Sequence, residues 1–255
     1  MFKICVLASG SIGNCTFIET TNYKFLIDIG ISTLAVEKNL KSIGIDPHEI
    51  NGIFITHTHV DHIQGLKVFY KKYSPTIYLT EKMHNELKRE MKIDNYKYIE
   101  DNDLIGDLLV NIIKTSHDVS DSNGYLFSHL DKTIVYITDT GYINIKNHQR
   151  LSNKDLYVME SNHDIELLMN CNRPYHVKQR ILGDEGHLSN NDSANYISKF
   201  IGDNTRCVIL AHLSIENNTE ALAKQVLIET LEKNNKKINK IIVAKADERT
   251  ELIEI

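Results

Sequence analysis

The segment Thr56-His57-Thr58-His59-Val60-Asp61-His62 directly follows an apolar, strand-like run, Ile53-Phe54-Ile55. Alternation along an extended chain places His57 and His59 on the same side, so two imidazoles can reach one cation. The Asp and the final His then begin a helix, which turns their side chains towards a neighbouring position. Four ligand-type residues within six positions at a strand end therefore predict a loop that serves two adjacent metal ions, rather than an ordinary polar surface loop.

The composition is that of a globular chain. Of its 255 residues, 42% are hydrophobic and 25% are charged, which excludes extended disorder. No run approaches the roughly 18 apolar residues of a membrane span, and Met1-Phe2-Lys3-Ile4 does not begin a signal peptide. The cysteines lie far apart without a Cys-x-x-Cys pair, which predicts a cytoplasmic protein without disulfides; they are Cys5, Cys15, Cys171 and Cys207.

No linker, charge block or repeat interrupts the chain, so the sequence predicts one domain over residues 1–255. Apolar and β-branched runs predict strands over Lys3–Leu7, Thr16–Ile18, Lys24–Ile29, Gly52–Thr56, Thr76–Leu79, Leu108–Thr115, Tyr125–Ser128, Thr133–Thr138, Leu156–Met159, Cys207–Ala211 and Lys240–Ala244. Helical spacing predicts helices over Ser32–Ile43, Asp61–Tyr73, Glu81–Met91, Asn191–Ile201 and Thr219–Glu232. This order favours a mixed α/β domain with two packed sheets and helices outside.

Two strand ends resemble each other within the chain. Phe25-Leu26-Ile27-Asp28-Ile29-Gly30 and Val135-Tyr136-Ile137-Thr138-Asp139-Thr140-Gly141 are both apolar strands that end in Asp-x-Gly. The Gly permits a sharp turn and the Asp is directed outwards at the strand end. The pattern fits a repeated sheet unit, and it fits two ordinary strand-turn junctions equally well.

Three further strand ends carry ligand-type residues. They are Thr115-Ser116-His117-Asp118, Thr138-Asp139-Thr140-Gly141 and Ala211-His212-Leu213-Ser214. Taken singly, His117 suits a turn or a cap, Asp139 suits a turn, and His212 suits a buried core position. Their joint order after successive strands makes each of them a candidate metal ligand.

The His-x-His-x-Asp-His loop and these three later motifs, in this order, resemble the metallo-β-lactamase fold superfamily. The resemblance implies a four-layer αββα sandwich with a two-metal centre at one edge of its two sheets. It implies that His57, His59 and His117 hold one metal, that Asp61, His62 and His212 hold the other, and that Asp139 bridges both. Asp28 matches an early strand-end Asp that orients the ligand loop, a role that makes imidazoles better donors, although simple turn chemistry explains it nearly as well.

Additional stretches resemble the WalJ/YycJ group of bacterial proteins, regarded as DNA exonucleases acting from the 5′ end. They are Ser9-Gly10-Ser11-Ile12-Gly13-Asn14, Glu160-Ser161-Asn162-His163-Asp164, Gly186-His187-Leu188-Ser189-Asn190 and Leu213-Ser214-Ile215-Glu216-Asn217-Asn218. The similarity extends from about residue 3 to residue 245. One departure is Ile12, which stands where a Ser is usual and removes a hydroxyl contact from that loop.

The implied chemistry is phosphodiester hydrolysis at a pair of divalent cations. Two cations roughly 3.5–4 Å apart polarise phosphoryl oxygens and lower the pKa of a shared water towards ~7, so a bridging hydroxide can attack phosphorus in line. No Ser or Cys stands beside a base in a recognisable motif, which leaves this hydroxide as the expected nucleophile. The ligand types suit zinc or manganese, with iron as a further option.

Asp61 and His187 are the predicted catalytic residues. His187 follows a Gly-rich turn, Leu182-Gly183-Asp184-Glu185-Gly186, from which it could donate a proton to the scissile phosphate or to the leaving oxygen. An ordinary His at a helix N-terminus, before the cap Ser189, is the competing interpretation.

Candidate substrate contacts come from the Gly-rich loop and from the loops after later strands. They are Ser9, Ser11, Asn14, Asn162, His163 and His187. A plain hairpin is the alternative for the first three, and a structural tie is the alternative for Asn162 and His163. Because the net charge is −5, contact with DNA needs a local basic patch; the candidates are Arg173, His176, Lys178 and Arg180.

Two other functions compete with a DNA exonuclease. The same dinuclear site could hydrolyse a small ester, thioester or cyclic phosphate. A non-catalytic protein could keep the fold without its metals, although intact residues at all seven ligand positions argue against this. The sequence therefore predicts a metal-dependent phosphodiesterase with DNA as its partner and no membrane association.

Overall fold

The computed structural model describes residues 1–255 and contains two seven-stranded sheets. The first has the strand order β14-β1-β2-β3-β4-β5-β6 and comprises β1 (Lys3–Ala8), β2 (Cys15–Glu19), β3 (Lys24–Ile27), β4 (Gly52–Phe54), β5 (Thr76–Leu79), β6 (Tyr96–Tyr98) and β14 (Ile253–Glu254). The second has the order β13-β12-β11-β10-β9-β8-β7 and comprises β7 (Asp103–Ile105), β8 (Leu108–Lys114), β9 (Asn123–His129), β10 (Lys132–Ile137), β11 (Leu156–Glu160), β12 (Cys207–Ala211) and β13 (Lys240–Val243).

Nine α-helices connect these strands. They are α1 (Thr33–Ser42), α2 (Val60–Ile63), α3 (Leu66–Tyr73), α4 (Glu81–Leu87), α5 (His148–Leu151), α6 (Ile165–Asn170), α7 (Tyr175–Leu182), α8 (Asn190–Phe200) and α9 (Glu220–Lys233). Short 3₁₀ turns cover Pro47–Glu49 and Ile145–Asn147. None of the helices combines the length and the apolar character that crossing a membrane requires.

Alternating side chains on the strands separate the interior into three apolar layers. On β12, Ile209 belongs to the central cluster between the sheets, whereas Val208 and Leu210 belong to an outer cluster with α8 and α9. On β3, Phe25 lies in the same central cluster and Leu26 packs outwards with α1 and α3. Three apolar layers between four structural layers form the αββα sandwich that the sequence predicts.

The carboxyl ends of parallel strands bring the candidate residues together. Strands β3, β4, β5 and β6 run parallel, as do β10, β11, β12 and β13. Parallel strands end at the same edge of a sheet, so the residues after β3 and β4 are neighbours in the first sheet, and those after β10 and β12 lie at one edge of the second. The two edges face each other, since Asp139 after β10 lies 3.2 Å from His62 in the loop after β4. Pairing of β14 with β1 also joins the two ends of the chain, and we propose on this ground that residues 1–255 form one domain.

The main secondary-structure differences from the sequence prediction have local causes. The predicted helix over residues 61–73 is divided into α2 and α3 at Gly65, whose N–H donates to Ile29 O at 2.9 Å. A Cβ at this position would lie 2.1 Å from Ile31 O, so only Gly permits this close approach. The sequence analysis missed edge strands β6, β7 and β14 and helices α5, α6 and α7, which are short and partly exposed.

Candidate metal centre

Three histidines form one cluster, the first set (His57, His59 and His117). His57 and His59 belong to the loop after β4, and His117 follows β8. His59 Nδ1 lies 3.2 Å from His117 Nε2, and the ring centroids of His57 and His117 are 5.1 Å apart. One nitrogen of each residue lies within 4.8 Å of the others, a spacing that allows all three to reach one cation.

A second cluster, the second set (Asp61, His62 and His212), lies beside the first. Asp61 and His62 start α2, whereas His212 directly follows β12. His62 Nε2 is 3.5 Å from Asp61 Oδ2, and donor atoms of all three residues lie within 4.8 Å of one another. The helical turn at residue 60 brings both side chains next to His212, and the His62 ring also lies beside His57, with ring centroids 4.0 Å apart.

Asp139 lies between the two sets. Its Oδ1 is 3.1 Å from His212 Nε2 and 3.8 Å from His117 Nε2, and its Oδ2 is 3.2 Å from His62 Nε2. Asp139 is buried and has a φ of 55°. This left-handed backbone conformation is tolerated by Asp better than by most residues, and it directs the carboxylate into the site.

Asp28 supports the ligand loop from beneath. Its Oδ2 lies 2.7 Å from His62 Nδ1, and Thr56 donates to the same carboxylate through its backbone N–H at 2.8 Å and its hydroxyl at 2.7 Å. A carboxylate on Nδ1 leaves Nε2 of the imidazole to face the cluster. Asp28 therefore contacts the ligand loop at both Thr56 and His62.

The electrostatics of the cluster favour positive charge within it. Burial opposes the charge on His62, but the Asp139 and Asp28 carboxylates outweigh burial and hold the pKa of His62 well above its usual value. Burial likewise acts to raise the pKa of Asp139, but His212 and His62 hold it well below the usual range. Burial lowers the pKa of His57, which keeps that imidazole neutral and able to donate a lone pair.

Unpaired buried polar atoms also indicate a metal centre, independently of the distances between the candidate ligands. His57 Nε2 and Asp139 Oδ2 are both buried without a well-aligned hydrogen-bond partner. Buried polar atoms normally have a partner, and those without one indicate a missing ion or another unsatisfied function. Imidazole and carboxylate donors are the ligands that divalent transition metals prefer. These residues therefore provide a site suited to divalent metal ions.

A polar cavity of about 240 Å³ opens onto the cluster. Ile181 is the single apolar residue among the fifteen that line it. Candidate ligands at its floor include Asp61, Asp139 and His212, and the predicted substrate contacts Ser11, Asn162 and His187 also line it. Residues that the sequence analysis did not propose as site residues complete the lining: Asp118, Glu185, Gly186 and Ser214.

The other three predicted substrate contacts, Ser9, Asn14 and His163, do not line this cavity. Ser9 accepts a hydrogen bond from His212 N at 2.8 Å, and Asn14 is fully buried against the second set. His163 is 1% exposed, and neither of its ring nitrogens has a hydrogen-bond partner. These three side chains are buried and lie outside this cavity, so we no longer propose them as substrate contacts.

The basic stretch also needs a correction. Lys178 is buried and donates to Met169 O at 2.6 Å and Cys171 O at 2.7 Å, which ties it to the end of α6. His176 lies outside the cavity lining, whereas Arg173 and Arg180 line it. Arg180 Nη1 is 3.2 Å from Asp118 Oδ2, so its guanidinium lies close to the first set. Two of the four predicted basic residues therefore remain candidates for binding a phosphate group of the substrate.

Glu160 is a site residue that the sequence analysis missed. It ends β11 between Asp139 and His212 on neighbouring strands, and it is fully buried. Its Oε1 lies 2.6 Å from His187 Nδ1, and its Oε2 accepts from Thr140 N at 2.9 Å. Burial lowers the pKa of His187, but the Glu160 carboxylate outweighs burial and raises it to about 9. Its place at the end of a buried strand next to two ligand-bearing strand ends is the signal that would have found it.

Comparison with known proteins agrees with this geometry. The sequence matches the Metallo-beta-lactamase superfamily over residues 8–162. It is 37% identical over 237 residues to Exodeoxyribonuclease WalJ of Streptococcus pneumoniae serotype 2 (strain D39 / NCTC 7466), covering 90% of this chain and 88% of that protein. It is 37% identical over 234 residues to Exodeoxyribonuclease YycJ of Bacillus anthracis, covering 89% of this chain and 88% of that protein.

A solved structure shows the same fold with little sequence identity. The metallo-beta-lactamase fold protein YhfI from Bacillus subtilis superposes with a TM-score of 0.74 at 14% identity, covering 98% of this chain and 100% of that chain. The matched residues 8–162 include the whole ligand loop, and the two exodeoxyribonucleases match nearly the full chain. The chain therefore belongs to the metallo-beta-lactamase superfamily and, within it, to the WalJ/YycJ group.

Proposed function

We propose that this protein is a metal-dependent exodeoxyribonuclease that hydrolyses DNA from the 5′ end with two divalent cations. The first set would hold one cation, the second set would hold the other, and Asp139 would bridge them. The relatives that match nearly the whole chain are named exodeoxyribonucleases. The small-molecule alternative is not favoured, because both relatives that are 37% identical over about 90% of the chain are named exodeoxyribonucleases.

One observation carries the proposal. The carboxylate of Asp139 lies among imidazoles of both sets: Oδ1 is 3.1 Å from His212 and 3.8 Å from His117, and Oδ2 is 3.2 Å from His62. A carboxylate with both oxygens among imidazoles from two sets is suited to bridge two cations, and paired cations are typical of phosphodiester hydrolysis.

Bound cations would polarise the phosphoryl oxygens and acidify the attacking water. Side chains of the protein would bind the substrate and transfer protons. Arg173, Arg180 and Ser11 line the cavity and would bind phosphate oxygens of the strand. Asp61 lines the same cavity with a carboxylate that can accept the proton lost by the water.

His187 is the proposed proton donor to the leaving oxygen. Glu160 contacts Nδ1 of this ring, and the ring lines the cavity, so Nε2 is the nitrogen available to substrate. The Glu160 carboxylate raises the pKa of His187 to about 9, which favours the protonated imidazole at neutral pH. A protonated imidazole at a leaving oxygen is an effective general acid.

The identity of the metal and the compartment belong to the proposal as well. Five imidazoles and two carboxylates suit zinc, manganese or iron, and we favour manganese for nuclease activity, as the resemblance implies. All four cysteines are free thiols, three of them buried, which supports a reducing cytoplasm as the compartment.

The experiment combines metal analysis with a choice of substrates. Purified protein is analysed for bound metal and then incubated with 5′-labelled duplex DNA, a cyclic phosphodiester and a thioester. We expect about two metals per chain and release of mononucleotides from DNA with Mn²⁺, abolished in Asp61→Ala and His62→Ala. Asp131→Ala is the matched control, because this carboxylate is exposed and pairs only with the adjacent Lys132. Turnover of the thioester with inert DNA, or protein without bound metal, would overturn the proposal.

A further inference from the structure

Asn14 is a fully buried polar residue in the loop between β1 and β2. Its side chain is surrounded by the candidate metal site rather than by solvent. Asn14 Oδ1 lies 3.1 Å from His212 Nδ1, and Asn14 Nδ2 lies 3.3 Å from Asp61 Oδ2 and 3.0 Å from His62 Nε2. One amide near the beginning of the chain thus contacts every member of the second set.

The orientation of this amide is fixed by backbone groups that have only one possible role. Gly10 N–H can only donate, and it lies 2.9 Å from Asn14 Oδ1. The carbonyl oxygens of Gly10 and Asp61 can only accept, and they lie 3.1 Å and 3.3 Å from Asn14 Nδ2. A flipped amide would place donor against donor and acceptor against acceptor at all three contacts. The oxygen of Asn14 therefore faces His212.

This orientation determines which nitrogen of His212 carries the proton. Asn14 Oδ1 can only accept, so His212 Nδ1 must donate to it. The lone pair of the neutral ring then resides on Nε2, the nitrogen that lies 3.1 Å from Asp139. The same loop also holds the backbone of His212, because Ser9 Oγ accepts from His212 N at 2.8 Å. His212 has a φ of 55°, an uncommon conformation for His that needs such support.

The contacts of Asn14 are selective for one of the two sets. None of its hydrogen bonds reaches His57, His59 or His117. Its backbone joins the same region, since Asn14 N donates to Asp61 O at 2.8 Å and Gly30 N donates to Asn14 O at 2.7 Å. A Cβ at Gly30 would lie 1.6 Å from Asp61 O, so this close approach requires Gly.

We infer that Asn14 is a positioning residue that sets the tautomer of His212, orients Asp61 and thereby controls the affinity of one of the two cation positions. The inference rests on the proposed two-cation centre. It assigns Asn14 to the metal site rather than to substrate. Residues that hold a ligating imidazole in one tautomer typically change metal affinity about 10–100-fold when they are replaced.

Competitive zinc titration of the metal-free protein tests the inference through binding rather than activity. We expect wild type to bind two zinc ions, and Asn14→Ala to bind one with unchanged affinity and the other about 10–100-fold more weakly. Asn190→Ala is the matched control: Asn190 is also buried, and its side chain bonds Ser161 and Asn218 but no candidate ligand. The inference would be overturned if Asn14→Ala bound both zinc ions more weakly by the same factor, or if it bound both with unchanged affinity.

A second measurement on wild type covers the case in which Asn14→Ala does not fold. Nitrogen chemical shifts of the zinc-loaded wild-type protein report which ring nitrogen of His212 carries hydrogen. We expect Nδ1–H, and Nε2–H would overturn the inference. If the wild-type protein binds no metal, the proposed function fails. If wild type and Asn14→Ala both bind two ions, and the affinities are the same in the two proteins, only the role of Asn14 is refuted.

Discussion

Asp28 and Asp139 contact opposite nitrogens of the same imidazole. Asp28 Oδ2 lies 2.7 Å from His62 Nδ1, and Asp139 Oδ2 lies 3.2 Å from His62 Nε2. Both aspartates follow a strand of their own sheet, and their φ angles of 58° and 55° are nearly equal. Equivalent strand ends of the two sheets thus contact the same candidate ligand, His62. The position of His62 therefore depends on how the two halves of the sandwich pack.

Replacement of Asp139 should test its proposed role as the bridge between the two cations. Asp139→Asn keeps the size of the side chain but removes the negative charge that faces His62, His117 and His212. We expect metal content to fall below one ion per chain and DNA hydrolysis to fall on the order of 10³-fold or more, because cations contribute several kcal/mol of transition-state stabilisation. Metal analysis and single-turnover kinetics measure both effects.

Asp155→Asn is the control for this variant. Asp155 is also buried, but its carboxylate accepts from Thr133 N at 3.0 Å and Thr133 Oγ1 at 2.7 Å, away from the metal centre. It should lower stability without changing metal content. Full metal loading of Asp139→Asn would contradict the bridging role.

The sequence predicts the inner strands well, for a physical reason. Buried strands such as Cys207–Ala211 are continuous apolar runs, and their ends are marked by polar residues, so both limits of β12 agree with the prediction. The resemblance between the strand ends at Asp28 and Asp139 likewise corresponds to a shared backbone conformation. Edge strands such as Tyr96–Tyr98 are exposed and have no apolar pattern, so they were missed.

Sequence patterns do not reveal a role that depends on contacts between distant parts of the chain. Asn14 and His212 are separated by 198 positions, and their hydrogen bond exists only because β1 and β12 end at the same edge of the sandwich. Glu160 is one of many acidic residues in the sequence, and only its burial beside His187 marks it. Local sequence patterns identify residues of ligand type, but the contacts that support those residues can be seen only in the folded structure.

Glu160 should act on the reaction through His187 alone. His187→Ala should retain its metals and lower turnover by ~10²–10⁴-fold, as expected for loss of a general acid. Glu160→Gln should lower kcat more than it raises KM, because it removes the carboxylate 2.6 Å from His187 Nδ1. In the His187→Ala background, Glu160→Gln should have little further effect, since residues that act as a unit are not additive. Additive losses in this double-mutant cycle would show that Glu160 acts independently.

Arg173 and Arg180 should each account for about one phosphate contact. Both line the cavity, and their ion pairs with Glu216 and Asp118 are partly exposed, so a DNA phosphate can compete for them. Substitution of either Arg by Gln should raise KM for DNA and reduce the slope of log(kcat/KM) against log[salt] by about 1. Arg206→Gln, which alters an exposed Arg outside the cavity, is the control. An unchanged salt slope in both cavity variants would argue against phosphate binding by these two residues.

His163 should make the fold sensitive to acid. Burial lowers the pKa of His163 to about 4, whereas an unfolded His titrates near 6.5. The unfolded state therefore binds this proton first, so the stability contributed by neutral His163 is complete above pH 6.5 and is lost as the pH falls towards 4. By pH 5 the loss should be about 2 kcal/mol.

Urea unfolding of metal-free wild type and His163→Leu at pH 7.5 and pH 5.0 measures this contribution. Neither ring nitrogen of His163 has a hydrogen-bond partner, so Leu removes the titrating group without breaking a hydrogen bond. Groups common to both proteins cancel in the difference between their unfolding free energies. That difference should shift in favour of His163→Leu by about 2 kcal/mol between the two pH values. A difference independent of pH would mean that the imidazole is protonated equally in the folded and unfolded states.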